Sequence, residues 1–113
     1  MQVRFQDDQI IAEVEGTAFE TVVPPGTKNS IFFSNKGINT IEFRFQEHNG
    51  TTWVDIGLAG SEFYNSLVKC ATKHVVVTPN YNRFRMVASA SGGSYLDFVI
   101  ERHLERMSGG LVG

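Results

Sequence analysis

An all-β fold, an antiparallel sandwich of jelly-roll or Greek-key type with about eight strands, is what this sequence predicts. Three observations carry that expectation. The segment from Ile41 to Gly57 alternates apolar and polar residues on either side of an Asn49-Gly50 pair. Short alternating segments recur along the chain, separated by Gly, Pro or Asn breaks. Phe 9 and Gly 11, in a chain that is 42% hydrophobic and 19% charged, suit strands and turns in a folded globular protein.

The Ile41–Gly57 segment is the strongest element. Ile41, Phe43 and Phe45 fall on one face of an extended chain and Glu42, Arg44 and Gln46 on the other, as in a strand with one wet side. Asn49-Gly50 supplies the positive φ that a two-residue hairpin turn demands, so an antiparallel return strand beginning near Trp53 follows. Asn49-Gly50-Thr51 is also a glycosylation sequon, but the turn accounts for it. Further strands are expected near Gln9–Glu15, Phe19–Val23, Ser30–Ser34, His74–Thr78, Arg83–Ala90 and Ser94–His103. Breaks fall at Gly16, Pro24-Pro25-Gly26, Asn35-Lys36-Gly37, Pro79-Asn80 and Gly92-Gly93. In the first of these strands Ile10, Ala12 and Val14 would face inward and Glu13 and Glu15 the solvent; Gln2 to Gln9 reads as a polar lead. Leu58 to Thr72 reads as an irregular crossover between sheets, with one helical turn capped by Ser61.

A length of 113 residues suits one domain, with the sandwich over 1–103 and a tail or arm over 104–113. The last strand puts Leu96, Phe98 and Ile100 on one face. After it the chain becomes glycine-rich yet keeps Leu104, Met107, Leu111 and Val112, four apolar residues expected to pack on a partner. Pro24 and Pro25 form a second expected contact element, because consecutive prolines lose little entropy on binding.

Charge and residue inventory argue against several functions. Lys+Arg 10 against Asp+Glu 12 gives a net charge of -2, and scattered basic residues give no footprint for nucleic acid or an anionic membrane. No apolar run approaches the roughly 20 residues of a membrane span, and no signal peptide is evident, so synthesis in the cytoplasm is expected. Cys70 cannot form an internal disulfide and reads as a small buried hydrophobe. His48, His74 and His103 are isolated from other metal ligands, and no Gly-x-Ser-x-Gly elbow is present. No catalytic residue, metal or cofactor is expected. Asp7-Asp8 reads as a solvated turn, and Gly92-Gly93 and Gly109-Gly110 as turn and tail glycines. Trp53, Tyr64, Tyr81 and Tyr95 are the amphipathic aromatics. As a set they suit a sugar-stacking platform, although Trp53 alone is expected to wedge between the sheets.

Asn39-Thr40 leading into Ile41 to Phe45, then Asn49-Gly50-Thr51-Thr52-Trp53, then the Arg-bearing apolar run Asn82 to Ser89 before a Gly-Gly turn and a terminal strand, together resemble small β-sandwich structural proteins of tailed bacteriophage particles. The resemblance spans Asn39 to Arg102. It departs at Glu47-His48-Asn49-Gly50, where similar chains carry Ser-x-Asp-Gly. It implies a non-enzymatic virion component that decorates or cements the capsid in many copies. Its partners would be the major capsid protein, other virion proteins or further copies of itself, and its location the virion. A head–tail or tail adaptor is the related alternative, and a carbohydrate-binding module using the four aromatics is the alternative of a different class.

Overall fold

A computed structural model describes residues 2–103, which form nine strands and no helix. They are β1 (Gln2–Ile11), β2 (Gly16–Val22), β3 (Lys28–Asn35), β4 (Ile41–His48), β5 (Trp53–Asp55), β6 (Tyr64–Leu67), β7 (Thr72–Val77), β8 (Arg83–Ser89) and β9 (Ser94–His103). A four-stranded sheet in the order β1-β9-β3-β7 faces a five-stranded sheet in the order β2-β8-β4-β5, with β6 also paired to β4. Every pairing is antiparallel.

The pairs are nested: first strand with last, β2 with β8, β3 with β7, and β4 with β5 and β6. The chain is therefore one long antiparallel ribbon. Rolling it brings β9 against β3 and β8 against β4, which is a jelly roll.

Alternation decides what each strand buries. Ile31, Phe33, Val75, Val77, Leu96, Phe98 and Ile100 point inward from one sheet, and Ile41, Phe43, Phe45, Phe84 and Met86 from the other. Phenylalanine rings join the two layers. Phe33 meets Phe43 edge-on at 5.0 Å and Phe45 at 5.7 Å, and Phe19 stacks on Phe98 at 4.5 Å.

Two buried asparagines close β3 at its ends. Asn29 donates from Nδ2 to the Thr27 and Val77 carbonyls and accepts from Arg102 Nε at 2.8 Å. Asn35 donates to the Asn39 and Leu67 carbonyls and accepts from Gly37 N and Ser94 Oγ. Each amide ties strand ends from different parts of the chain without leaving a buried polar group unpaired.

Several expectations are corrected. Residues 2–11 are not a polar lead: they pair with β9 along its whole length, and the chain leaves the sheet at Ile11 instead of continuing to Glu15. Odd-numbered residues of β1 share the inner face with Ile11, so Ile10 and Val14 are exposed. Tyr64–Leu67 is a strand, not part of a helical turn. It continues the edge begun by β5, for Phe45 O accepts from Ile56 N and Phe45 N donates to Phe63 O, so the segment between leaves and rejoins the ladder at one residue.

The β4–β5 connection is wider than a two-residue turn. His48 pairs with Trp53, and Asn49 Oδ1 accepts from the amides of Thr51 and Thr52. Only Gly50 takes positive φ, at 96°. The Asn49 side chain organises the loop through local acceptor bonds rather than through a left-handed backbone. Cys70 is exposed, at φ 66° in the β6–β7 turn. Trp53 is not wedged between the sheets: it shares the outer face with its partner His48.

Candidate functional site

The two strands at one side of the sandwich, β1 and β2, do not close against each other. In the β1–β9 register Phe5 lies opposite Ile100, Asp7 opposite Phe98 and Gln9 opposite Leu96, so all three β1 residues face inward. A carboxylate and an amide on the inner face resist desolvation, which keeps this strand from covering the core. On the other side β2 carries an irregularity between Thr17 and Phe19 that shifts its register on β8.

The result is a cleft of about 570 Å³ between the two strands. Its floor is Ala18, Phe19, Phe98 and Ile100, and Phe5, 45% exposed, stands at its side. Arg4, Asp7, Gln9 and Glu20 supply polar groups around it. Among the described residues β1 is paired only with β9 and β2 only with β8. Both strands thus present an unpaired backbone edge beside the half-exposed Phe5, over a floor that is itself buried.

Arg102 stands behind one end of the cleft. Its side chain points inward from β9 and is 8% exposed. Nε donates to Asn29 Oδ1 and Nη2 to Thr21 Oγ1, both at 2.8 Å, and the guanidinium lies 5.0 Å from the Phe5 ring centre. No carboxylate pairs with it among the described residues. Burial accordingly lowers its pKa from the usual arginine value.

The outer face of the five-stranded sheet is polar and internally matched. Arg44 bonds Glu15 at 2.8 Å and Asp55 at 3.3 Å; the Glu15 hydrogen bond is the main cause of its raised pKa. Gln46 bridges Asp55 and Arg85, and Arg83 lies 3.6 Å from Glu20. Trp53 has Arg85 over its ring at 4.2 Å and Arg83 at 5.2 Å, while Arg44 lies 5.8 Å from the Tyr64 ring centre. Guanidinium groups therefore occupy the ring surfaces that a sugar would need.

The four aromatics do not converge. Trp53 and Tyr64 share this outer face but pair with His48 and Arg44, four positions apart along β4, or about 13 Å. Tyr95 is on the outer face of the other sheet, beside Ile10, and Tyr81 is in the β7–β8 loop.

Pro24 and Pro25 are exposed in the β2–β3 loop. That loop is tied to the β7–β8 loop by Val23 N donating to Asn82 O and Gly26 N to Pro79 O. Both loops lie at the end of the sandwich where His103 pairs with Gln2 and Lys28. The expected contact residues Leu104, Met107, Leu111 and Val112 lie outside the described residues.

The cleft was not anticipated from the sequence. Its signal is the run Val3, Phe5, Asp7, Gln9, Ile11, in which an alternating inner face turns polar at its middle.

Among the described residues, no three His, Cys, Asp or Glu side chains gather closely enough to hold a metal ion. No protein-family model, no curated protein and no solved structure matches the chain.

Proposed function

We propose that this protein is a non-enzymatic assembly module, a virion structural component that decorates or cements a capsid by packing in many copies against itself and the major capsid protein. The observation that carries this reading is the β1–β2 cleft, where two strand edges unpaired among the described residues flank the half-exposed Phe5. A strand edge beside apolar surface is a template for another chain, and natural sandwiches cover or blunt such edges unless they use them. Arg4, Asp7 and Asp8 put charge on β1, which discourages indiscriminate pairing while leaving a specific partner possible.

The matched ion pairs on the five-stranded face, and the pairing of Pro24 and Pro25 with the end from which β9 exits, fit a packing role that needs no active site. The reading predicts a discrete oligomer in the native mass by light scattering across a concentration series. A monomer at every concentration would remove self-packing from the reading, and a monomer that also fails to co-sediment with capsids would contradict it.

A carbohydrate-binding module is the second reading. One observation bears on it, the outward placement of Trp53, whose ring a sugar would reach only by displacing Arg83 and Arg85. A glycan screen in which Trp53→Ala abolishes binding without lowering the melting temperature by more than a few degrees would establish it against the first.

A further inference from the structure

Of the strands that end a sheet among the described residues, β1 is the longest. It pairs with β9 in unbroken register from Gln2 to Ile11, and neither a proline nor a bulge blunts its other side. We infer that two copies of this chain join β1 to β1, antiparallel, about a two-fold axis through Gln6, so that Arg4 of each copy faces Asp8 of the other. The inference rests on the assembly reading above and names the surface and the partner for it.

The strand is its own electrostatic complement. Gln2, Arg4, Gln6, Asp8 and Ile10 lie on the outer face, opposite in direction to the inner-facing odd positions. Arg4 and Asp8 stand two residues to either side of Gln6 and carry opposite charges, so a half-turn about Gln6 sets each against the other twice. Both charges are poorly matched within one copy. The Arg4 side chain is 61% exposed and comes no nearer than 3.8 Å to Glu101. Asp8 accepts a bond from Tyr95, but the residue opposite it on β9 is Asp97, a like charge. Other centres lose the match. Centring on Phe5 sets Arg4 against Gln6 and Asp8 against Gln2, while centring on Asp7 or Asp8 places like carboxylates face to face. Backbone bonds along roughly 30 Å of strand supply the affinity, and the charges fix the register.

The inner face agrees with the same register. Phe5 of one copy falls opposite Asp7 of the other, which makes the two Phe5 positions diagonal neighbours, about 7–8 Å apart and within reach of aromatic rings. Each half-exposed ring thereby gains an apolar neighbour that its own sandwich does not supply. The four-stranded sheets become one continuous sheet across the axis, and the β2 edges of the two copies turn toward each other beneath it. An isologous contact of this kind needs a surface that complements itself, which is why the partner is a second copy.

The test uses three full-length variants. Arg4→Glu and Asp8→Arg are each examined by light scattering, alone and mixed, with melting temperatures to show that both are folded. Gln6→Cys, in a Cys70→Ser background, is treated with a short bismaleimide. Each charge variant alone sets like charges opposite at both ends of the contact, and is expected to lose the dimer. In the mixture every facing pair is opposite again, so the dimer mass returns. The Gln6→Cys chain is expected to give a peptide joining position 6 of one copy to position 6 of the other. An oligomer that survives in both charge variants and gives no such peptide overturns the β1 pairing but leaves the assembly reading in place. Folded variants that lose the oligomer and do not regain it on mixing overturn the Arg4–Asp8 match. A parent chain that is monomeric throughout overturns the β1 pairing, and if it also fails to co-sediment with capsids the assembly reading falls with it.

Discussion

Asn35 shows how much one buried side chain can organise. It is 1% exposed, and its amide makes four hydrogen bonds to Gly37, Asn39, Leu67 and Ser94, in three separate parts of the chain. Asn35→Ala strands two carbonyls and an amide away from water and is expected to cost about 2–4 kcal/mol in denaturant unfolding, since each unsatisfied buried group costs about 1–3 kcal/mol. A cost below about 1 kcal/mol would show that solvent reaches this corner. Trp53 and Phe45 make a second comparison at this scale. Phe45 is fully buried, so Phe45→Ala should cost about 3–5 kcal/mol. Trp53 lies on the outer face with two guanidinium groups, and Trp53→Ala should cost about 1–2 kcal/mol. Equal costs would place Trp53 in the core after all. Tyr95 gives the pH dependence. Its phenol is raised above the ordinary tyrosine value, chiefly by its hydrogen bond to Asp8. A raised folded-state pKa favours the protonated form, so this contribution to stability is complete below about pH 10 and is lost as pH rises through the folded value. Asp8→Asn should move the phenolate titration of Tyr95 back down in ultraviolet absorbance; an unchanged titration would remove the Asp8 bond from the account.

At the scale of elements, legibility followed alternation. β9 occupies Ser94–His103 as its pattern indicated, and β4 and β8 lie within a residue or two of their expected bounds, because apolar residues at every second position are what a half-buried strand requires. In β1, Asp7, Asp8 and Gln9 dilute the alternation, so the segment reads as a lead. Its strand character comes from ten positions of pairing with β9, a long-range cause invisible in the local sequence. β6 was hidden for a similar reason: Tyr64 to Leu67 has little alternation and is a strand because β4 offers it an edge. The Asn49-Gly50 signal identified a hairpin but not its width, since the Asn49 side chain bonds two amides across the loop. The β3–β4 connection adds a constraint at Gly37. A Cβ there would meet the Ser94 side chain and come within 2.6 Å of the Tyr95 backbone nitrogen. Ser94 is held by Asn35, so the neighbour cannot move away freely. Gly37→Ala is expected to lower stability by about 1–3 kcal/mol in thermal unfolding, as overpacking does elsewhere, and a neutral substitution would show that β9 yields at its start.

For the whole molecule, rolling the ribbon leaves β1 and β2 as the two strands at one side of the sandwich, and the residues on them decide whether that side closes. With Phe5, Asp7 and Gln9 facing inward it remains open, and its two strand edges, with Phe5 between them, are the surface on which the proposed assembly depends. The cleft was legible only in part, because recognising it requires knowing that β1 is a strand and that Phe98 lies beside Asp7 on β9. Hydrogen exchange on the full-length chain, compared between a concentrated and a dilute sample, tests whether this side is the assembly surface. The account predicts that amides of β1 and β2 gain protection at high concentration while those from Trp53 to Leu67 do not. Protection gained along β5 and β6 instead, or no change at β1 and β2, would contradict it.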